Sequence, residues 1–431
     1  VPDAAASDGD HSEDPASFHL HVHKVDTHYN EEALREMAAE CTNERIKTCY
    51  LENAKWLDDA RYDDLIAMPR EYRFRHNYKC YLKAEWINLI VACGLVHEIE
   101  AHEAIAGAAV FTLEETAKKR HRLLAWGRVV CEFFPSSMLS DLGLPTIDDL
   151  SDDILDHDYT WDADVFCCFF QRLTPSVLGR AHSFFSVALQ KWFSWRVSTM
   201  GTMFGTHLAH SANQLVGDVA SDRNATAEQQ RAVIGASMRT YSDNFKGSGN
   251  YEQAVASRDI FLARCARANV RINDPQVPVI RRRLDFIGVD CDHENKTRAG
   301  TAKLIAKLER LWARRDEWTT RDASSCQGIL NFLVRIVPFN RAEIFPALCF
   351  SAAAFSIPSD DPAWDQRLYI PPHIMALWTQ WVESAIANVP HRPRHGKEPH
   401  THIVIGDSSR AGNGWVALNL TTGVLDRKSV V

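Results

Sequence analysis

The sequence predicts an α+β fold, and three observations carry that expectation. Strand-length and helical segments alternate from about residue 108 to residue 289, several helices precede them, and two isolated aspartates end otherwise apolar strand-like runs. Composition excludes other classes: of 431 residues, 45% are apolar, 24% charged and 10% aromatic, which is globular usage rather than that of a disordered, collagenous or coiled-coil chain. The length allows two or three packing units at about 100 to 200 residues each. No apolar run reaches the roughly 18 to 20 residues that cross a bilayer, so no membrane partner is expected.

Charge is uneven. The net value is −8, and residues 1–50 hold 11 acids against 4 bases, a net of −7 that leaves the remainder at −1. An acidic total argues against a nonspecific coat on nucleic acid, yet a neutral body can carry a local basic stripe. The 11 cysteines are scattered without a CxxC, which excludes a zinc ribbon and a disulfide framework and points to a reducing, intracellular setting, nucleus or cytoplasm.

The elements follow in order. The first 15 to 30 residues, acidic and poor in apolar spacing, read as a mobile arm. Leu34, Met37, Ala38 and Cys41, then Trp86, Leu89, Ile90 and Cys93, recur at helical spacing, with a break near Pro69. At 108–126 an apolar run, the basic stretch Lys118, Lys119, Arg120, His121 and Arg122, and a second apolar run predict two strands around a basic turn. Residues 161–170 form an apolar, aromatic run holding Asp162 and Asp164, and 240–245 reads as a short strand ending in Asp243 and Asn244. Between them, 192–217 turns at Gly201 and continues as a helix through Leu208, Ala212 and Leu215. Another helix follows Gly249, and 284–289 reads as a strand with Gly288 inside it. Over 301–318 the spacing predicts an amphipathic helix with Leu304, Leu308 and Leu311 on one face and Lys303, Lys307, Arg310 and Arg314 on another. A further helix over 319–337 starts at a Thr319–Asp322 capping box and stops at Pro338.

Asp164 in WDADVFCCFF and Asp243 in TYSDNF are the chemically loaded positions, because a buried unpaired carboxylate needs a cation, a hydrogen-bond cage or a partner. Taken singly, each reads as a turn or cap aspartate. The HEIEAHE stretch at 97–103 sets its histidines five apart rather than the four of a zinc-protease helix and reads as a surface helix. His19, His21 and His23 alternate as on one strand face, with a metal site as the minor alternative.

From about residue 110 to residue 350 the chain resembles a retroelement reverse transcriptase, motif by motif and in that family's order. FTLEETAKKRHRLLAWGR resembles the basic fingers hairpin, DVFCCFF the motif of an aspartate followed by paired aromatics, and WRVSTMGTMFGTHLAHSANQL the substrate-binding turn and helix. YSDN resembles the YxDD box, DFIG the strand that grips the primer, and HIVIGDSSRAGNGW the opening strand of a ribonuclease H-like domain. The KKRHRLLAWGR and YSDN forms are similar to those of the tyrosine-recombinase retrotransposons, the DIRS, Ngaro, VIPER and TATE group.

The resemblance implies a right-hand polymerase. Residues 1–70 would be the acidic arm and helical extension, 71–155 fingers, 156–290 palm with part of the fingers between its motifs, 291–360 thumb, 361–400 connection and 401–431 the start of a ribonuclease H-like domain. The implied activity is RNA-directed DNA polymerase, a nucleotidyltransferase whose partners are an RNA template, a DNA primer or RNA–DNA hybrid, and deoxynucleoside triphosphates, and which could work within a larger nucleoprotein assembly. Phosphoryl transfer asks for two Mg²⁺ ions about 3.5 to 4 Å apart, and hard cations ask for oxygen ligands. The catalytic ligands would be Asp164 and Asp243, with the carbonyl of Val165 as a third and Asp162 as a competing assignment for Asp164. Phe169 would lie against the incoming sugar and exclude a ribose 2′-hydroxyl; Lys119 and Arg122 would hold the triphosphate; Gly201, Tyr241 and Asn244 would complete the nucleotide site. Phe286, Gly288 and the stripe Lys303, Lys307, Arg310 and Arg314 would contact template and primer, and Asp407 would be a ribonuclease H-like remnant. Four departures stand against the family pattern: Met200 for a Gln, Asn244 for the second Asp, Lys246 where an apolar residue is usual, and no Pro soon after Gly201. They support the alternative, a degenerate or domesticated reverse-transcriptase-like protein that binds RNA or protein partners without catalysis.

Overall fold

The computed structural model describes residues 18–115, 118–202, 204–337, 344–358 and 361–395, and the backbone of strands at 402–409, 412–419 and 425–430. It is a mixed helix and sheet structure, as expected. In chain order the strands are β1 (His19–His21), β2 (Lys79–Cys80), β3 (Val96–Ile99), β4 (Ala109–Glu115), β5 (Arg120–Trp126), β6 (Tyr159–Asp164), β7 (Phe184–Ser186) and β8 (Lys191–Trp195). They continue as β9 (Ser237–Tyr241), β10 (Asn244–Gly249), β11 (Arg283–Phe286), β12 (Val289–Asp292), β13 (Thr297–Gly300), β14 (His402–Ser409), β15 (Gly412–Asn419) and β16 (Leu425–Val430). Among the described residues no helix is long and apolar enough to cross a membrane.

The sheet that matters most has the order β6-β10-β9, all antiparallel, with Asn244 opposite Asp164 on one side and opposite Tyr241 on the other. Its inner face buries Trp161 and Phe245 against the helices Gly205–Gly217 and Tyr251–Ala268 and the N-terminal helix Glu31–Glu40. The helix Gly205–Gly217 is buried on most of its sides, its polar residues His210, Ser211 and Asn213 included. Tyr251–Ala268 starts at an Asn250–Gln253 capping box and ends on Asn269 in the left-handed conformation, so local chemistry fixes both its ends.

The basic hairpin forms as expected from β4 and β5, and β1 adds a third strand parallel to β5. The arm therefore does not extend to residue 30: Leu20, Val22 and Val25 are core residues beside Val110, Leu123 and Ala125. Alternation buries Leu20 and Val22, and a three-residue strand has no longer pattern by which to announce itself. The HEIEAHE stretch is likewise not a helix: its first three residues belong to strand β3, paired with β8 and tied there by Glu98 to Lys191 at 2.7 Å, and the rest forms a turn.

Two expected strands are hairpins. Residues 240–245 contain the two-residue turn Ser242–Asp243 between β9 and β10, and 284–289 contains the turn Ile287–Gly288 between β11 and β12. Gly288 has φ +87°, and a Cβ there would come within 3.0 Å of the Phe332 ring, so both conformation and space require glycine.

The C-terminal core joins the sheet β11-β12-β13 to helices Ala302–Ala313, Thr320–Leu333 and Pro372–Ala387. Ile305, Leu308 and Leu311 fill it, each contributing about 1.5 to 3 kcal/mol by burial, more than helix propensity could supply. The helix expected to run to 318 ends at Ala313; Arg314 is its cap and sits 3.6 Å from Asp322. The Thr319–Asp322 capping box forms as expected, while Pro338 lies outside the described residues. Asp407 stands on β14 opposite Gly414, and its side chain lies outside the described residues.

Three histidines, His182, His210 and His293, are buried, and burial pushes their imidazoles down to about 4, 4 and 3. Folded protein thus binds fewer protons than unfolded chain below the ordinary histidine value, so stability should be lost as pH falls from about 6.5 toward 4. Thermal unfolding followed from pH 7 to 4.5 checks this; a midpoint that stays constant or rises would refute it.

Candidate active site

Asp164 ends β6 and Asp243 occupies the turn that enters β10, one residue before the partner of Asp164. The Val165 N–H donates to the Asp243 carbonyl at 2.8 Å, locking the two segments together. Both carboxylates face a cavity of about 360 Å³, whose lining also includes Val165, Phe169 and Met200 and the cations Lys118, Arg120 and Arg122. Burial first, and then the charge of Asp243, raise the Asp164 carboxyl to about 6; burial also raises Asp243. Neutral amides hold them, Asn273 donating to Asp164 at 2.7 Å and Asn244 to Asp243 at 2.9 Å. Two acids lining one cavity, each held by a neutral donor, form a centre suited to a cation.

Asp162, the competing assignment, is engaged by Arg281 instead. On the hairpin, Arg122 lines the cavity but Lys119 does not; Lys118 and Arg120 stand there in its place. Period-two alternation sets Arg120 and Arg122 on one face of β5, while Lys118 precedes the strand and Lys119 is at the turn with φ +46°. Glu115 grips both arginines, with Arg122 at 2.7 Å.

Other expected contacts fall elsewhere. Tyr241 is 36% exposed at the end of β9, outside the cavity lining, and Asn244 reaches the site only through Asp243. Gly201 has φ +106°, and the atom that a Cβ would crowd is the Ala125 carbonyl oxygen at 2.8 Å, so glycine lets this turn dock on β5. Phe286 is buried in the C-terminal core, which leaves its ring no surface for a primer. Lys303, Lys307 and Arg310 share one exposed helix face, and the charge of Lys303 adds to burial and Arg120 in lowering the Lys118 ammonium. That helix therefore stands across from the hairpin.

Sequence reading missed the residues that hold the turn. His210 Nδ1 accepts from the Ser242 N–H at 3.0 Å, and Asn213 donates to the Ser242 carbonyl at 2.8 Å, which secures Ser242 at φ +58°. His210 and Asn213, three apart and flanked by Leu208, Ala209, Ala212 and Leu215, were the available sign. Lys246 is explained as well: fully buried on β10, it lies 3.4 Å from Asp153 and donates to Ser248 at 2.6 Å. Neither Asn244 nor Lys246 therefore disturbs the carboxylate pair. Among the described residues no cluster of three or more potential metal-binding side chains occurs, His19, His21 and His23 included.

The sequence matches no family model and no curated protein. Solved structures match in fold. A foamy viral protease–reverse transcriptase in complex with double-stranded DNA aligns with a TM-score of 0.52 at 15% identity, covering 93% of this chain and 81% of that one. A form of that protein designated dRH, also with double-stranded DNA, gives 0.52 at 13%, covering 93% and 68%. The complex with RNA/DNA hybrid gives 0.55 at 13%, covering 93% and 52%. The chain has a reverse transcriptase-like fold.

Proposed function

We propose that the chain is an RNA-directed DNA polymerase of retroelement type, related to the tyrosine-recombinase elements, acting on an RNA template, a DNA primer or hybrid, and deoxynucleoside triphosphates. The observation that carries this reading is the opposition, across one cavity of about 360 Å³, of the acids Asp164 and Asp243 and the cations Lys118, Arg120 and Arg122. That volume is in the range of small-molecule sites. In this reading residues 71–155 act as fingers, 156–290 as palm and 291–360 as thumb, with a ribonuclease H-like domain beginning after 400.

The all-oxygen donor set of Asp164, Asp243 and the Val165 carbonyl fits Mg²⁺, which takes one or two carboxylates and completes its shell with water and phosphate oxygens. When bound, two such ions would lower the charge on the attacking 3′-oxygen and on the leaving pyrophosphate. The chain's own groups do the positioning. Asn273 and Asn244 orient the carboxylates, Lys118, Arg120 and Arg122 receive the triphosphate, and Phe169 bounds the space beside the sugar. Primer extension with Mg²⁺ on a homopolymer RNA template tests the reading. Extension by wild type but not by Asp243→Asn supports it, and no extension favours a scaffold that binds nucleic acid without catalysis.

Two expectations follow. Phe169→Val should leave DNA synthesis partly intact and raise ribonucleotide use relative to deoxyribonucleotide use by at least about tenfold in kcat/KM, a change of about 1.4 kcal/mol. Unchanged sugar discrimination in an active variant would refute the gate. Lys303→Ala with Lys307→Ala should reduce the magnitude of the slope of log affinity against log salt for RNA–DNA hybrid by about 1 to 2. A folded double variant with the wild-type slope would remove that helix from the nucleic-acid path.

A further inference from the structure

The N-terminal strand enters the site that the hairpin builds. β1 lies parallel to β5 with His19 opposite Arg120 and His21 opposite Arg122, and Leu20 and Val22 anchor it in the core below. His21 thereby becomes part of the cavity lining, and its Nε2 stands 2.7 Å from Arg120 Nη1. Arginine has only donors, so this nitrogen is the acceptor and Nδ1 carries the proton. Burial and the Arg120 charge favour that neutral form, pushing His21 down to about 4. Arg120 is thus held from two sides, by His21 and by Glu115, and Glu115 also holds Arg122 at 2.7 Å. Among the described residues, the Arg120 fork without the histidine acceptor would keep the carboxylate it shares with Arg122. The rings of His21 and His23 meet at 4.8 Å and those of His23 and Phe166 at 5.2 Å, which gives the strand a second attachment along the cavity rim.

We propose that His21 is a positioning residue that fixes the Arg120 guanidinium for the triphosphate of the incoming nucleotide, making β1 a built-in wall of the nucleotide pocket. This rests on the polymerase reading above. A planar guanidinium recognises phosphate oxygens through its fork, so its orientation decides how many donors reach the ligand.

The test compares His21→Phe, which keeps a ring but has no acceptor, with His21→Gln, which restores one. In primer extension His21→Phe should raise KM for the deoxynucleoside triphosphate about tenfold and leave kcat within about twofold, while His21→Gln should stay near wild type. Combining His21→Phe with Arg120→Ala should add nothing to Arg120→Ala alone, because the histidine acts through the arginine. His19→Ala, on the same strand but outside the cavity lining, should change neither constant. Calorimetric titration of deoxythymidine triphosphate onto protein holding a dideoxy-terminated primer reads binding without turnover. Wild type that binds triphosphate but never extends, with binding weakened in His21→Phe, would overturn the polymerase reading and keep the positioning role. Active wild type whose His21→Phe variant keeps its KM and Kd, or whose Gln variant is as impaired as Phe, would overturn the positioning role alone. Wild type that binds no triphosphate would overturn both.

Discussion

Asp164→Asn should lower primer extension by about 10³-fold or more and, in metal-free buffer at pH 7.5, raise the resistance of the protein to heat. The first effect follows from losing one of two ligand carboxylates, since 10³ corresponds to about 4 kcal/mol of transition-state stabilisation. The second follows from the sign of the Asp164 shift. Burial and the neighbouring Asp243 raise the carboxyl to about 6, above its ordinary value of 3.8. The folded protein therefore holds this proton more tightly than the unfolded chain. The stability that protonation contributes is full below pH about 4 and is lost as pH rises through about 6. At pH 7.5 the ionised Asp164 opposes folding, by about 1 kcal/mol once the access of solvent to the cavity is allowed for. An amide removes that charge, so the gain should shrink as the pH is lowered through 6. Differential scanning calorimetry at pH 7.5 and pH 5 checks the pair of effects. An Asn variant less stable than wild type at pH 7.5, or equally active, would remove Asp164 from the site.

Asp153→Ala should cost about 3 to 5 kcal/mol, the usual consequence of leaving a buried charge without its partner. Asp153 and Lys246 are both buried, and Asp153 also accepts from Ser237 at 2.6 Å and Arg239 at 2.9 Å. The charges of Lys246 and Arg239 and the Ser237 hydroxyl outweigh the burial that opposes them and hold the carboxyl down to about 2. Replacing Asp153 and Lys246 together by Ala and Met should recover most of the loss, because both charges then leave the interior together. Urea denaturation of the single and double variants measures this. A double variant as unstable as the sum of its parts would show that the two residues do not act as a pair. Lys246 lies on β10 opposite Asp162, so the Asp153 variant should also lose activity by disturbing the strand that carries Asp243.

Where local chemistry was sufficient, sequence and structure agree. The Thr319–Asp322 capping box starts its helix, the apolar spacing of Leu208, Ala212 and Leu215 lies within the helix Gly205–Gly217, and basic residues between apolar runs form a hairpin. Sequence also brought Asp164 and Asp243 forward, because a carboxylate closing an apolar run is conspicuous without any partner in view. The two-residue turns escaped notice for a physical reason. Ser242–Asp243 lacks the glycine that marks a tight hairpin, and its left-handed Ser242 is secured by His210 and Asn213 from a distant helix. Ile287–Gly288 places a β-branched residue at φ +44°, which packing against the C-terminal core maintains.

Neighbours along the chain were enough to indicate several helical segments, the Thr319–Asp322 cap, the basic hairpin and the candidate carboxylates. Long-range packing sets the rest: Lys118 and Arg120 share the cavity with Arg122, Asp153 neutralises Lys246, and β1 brings His21 to Arg120 across 99 positions. Such pairings arise from burial and register between distant segments, and a three-residue parallel strand leaves no local periodicity from which its partner could be read.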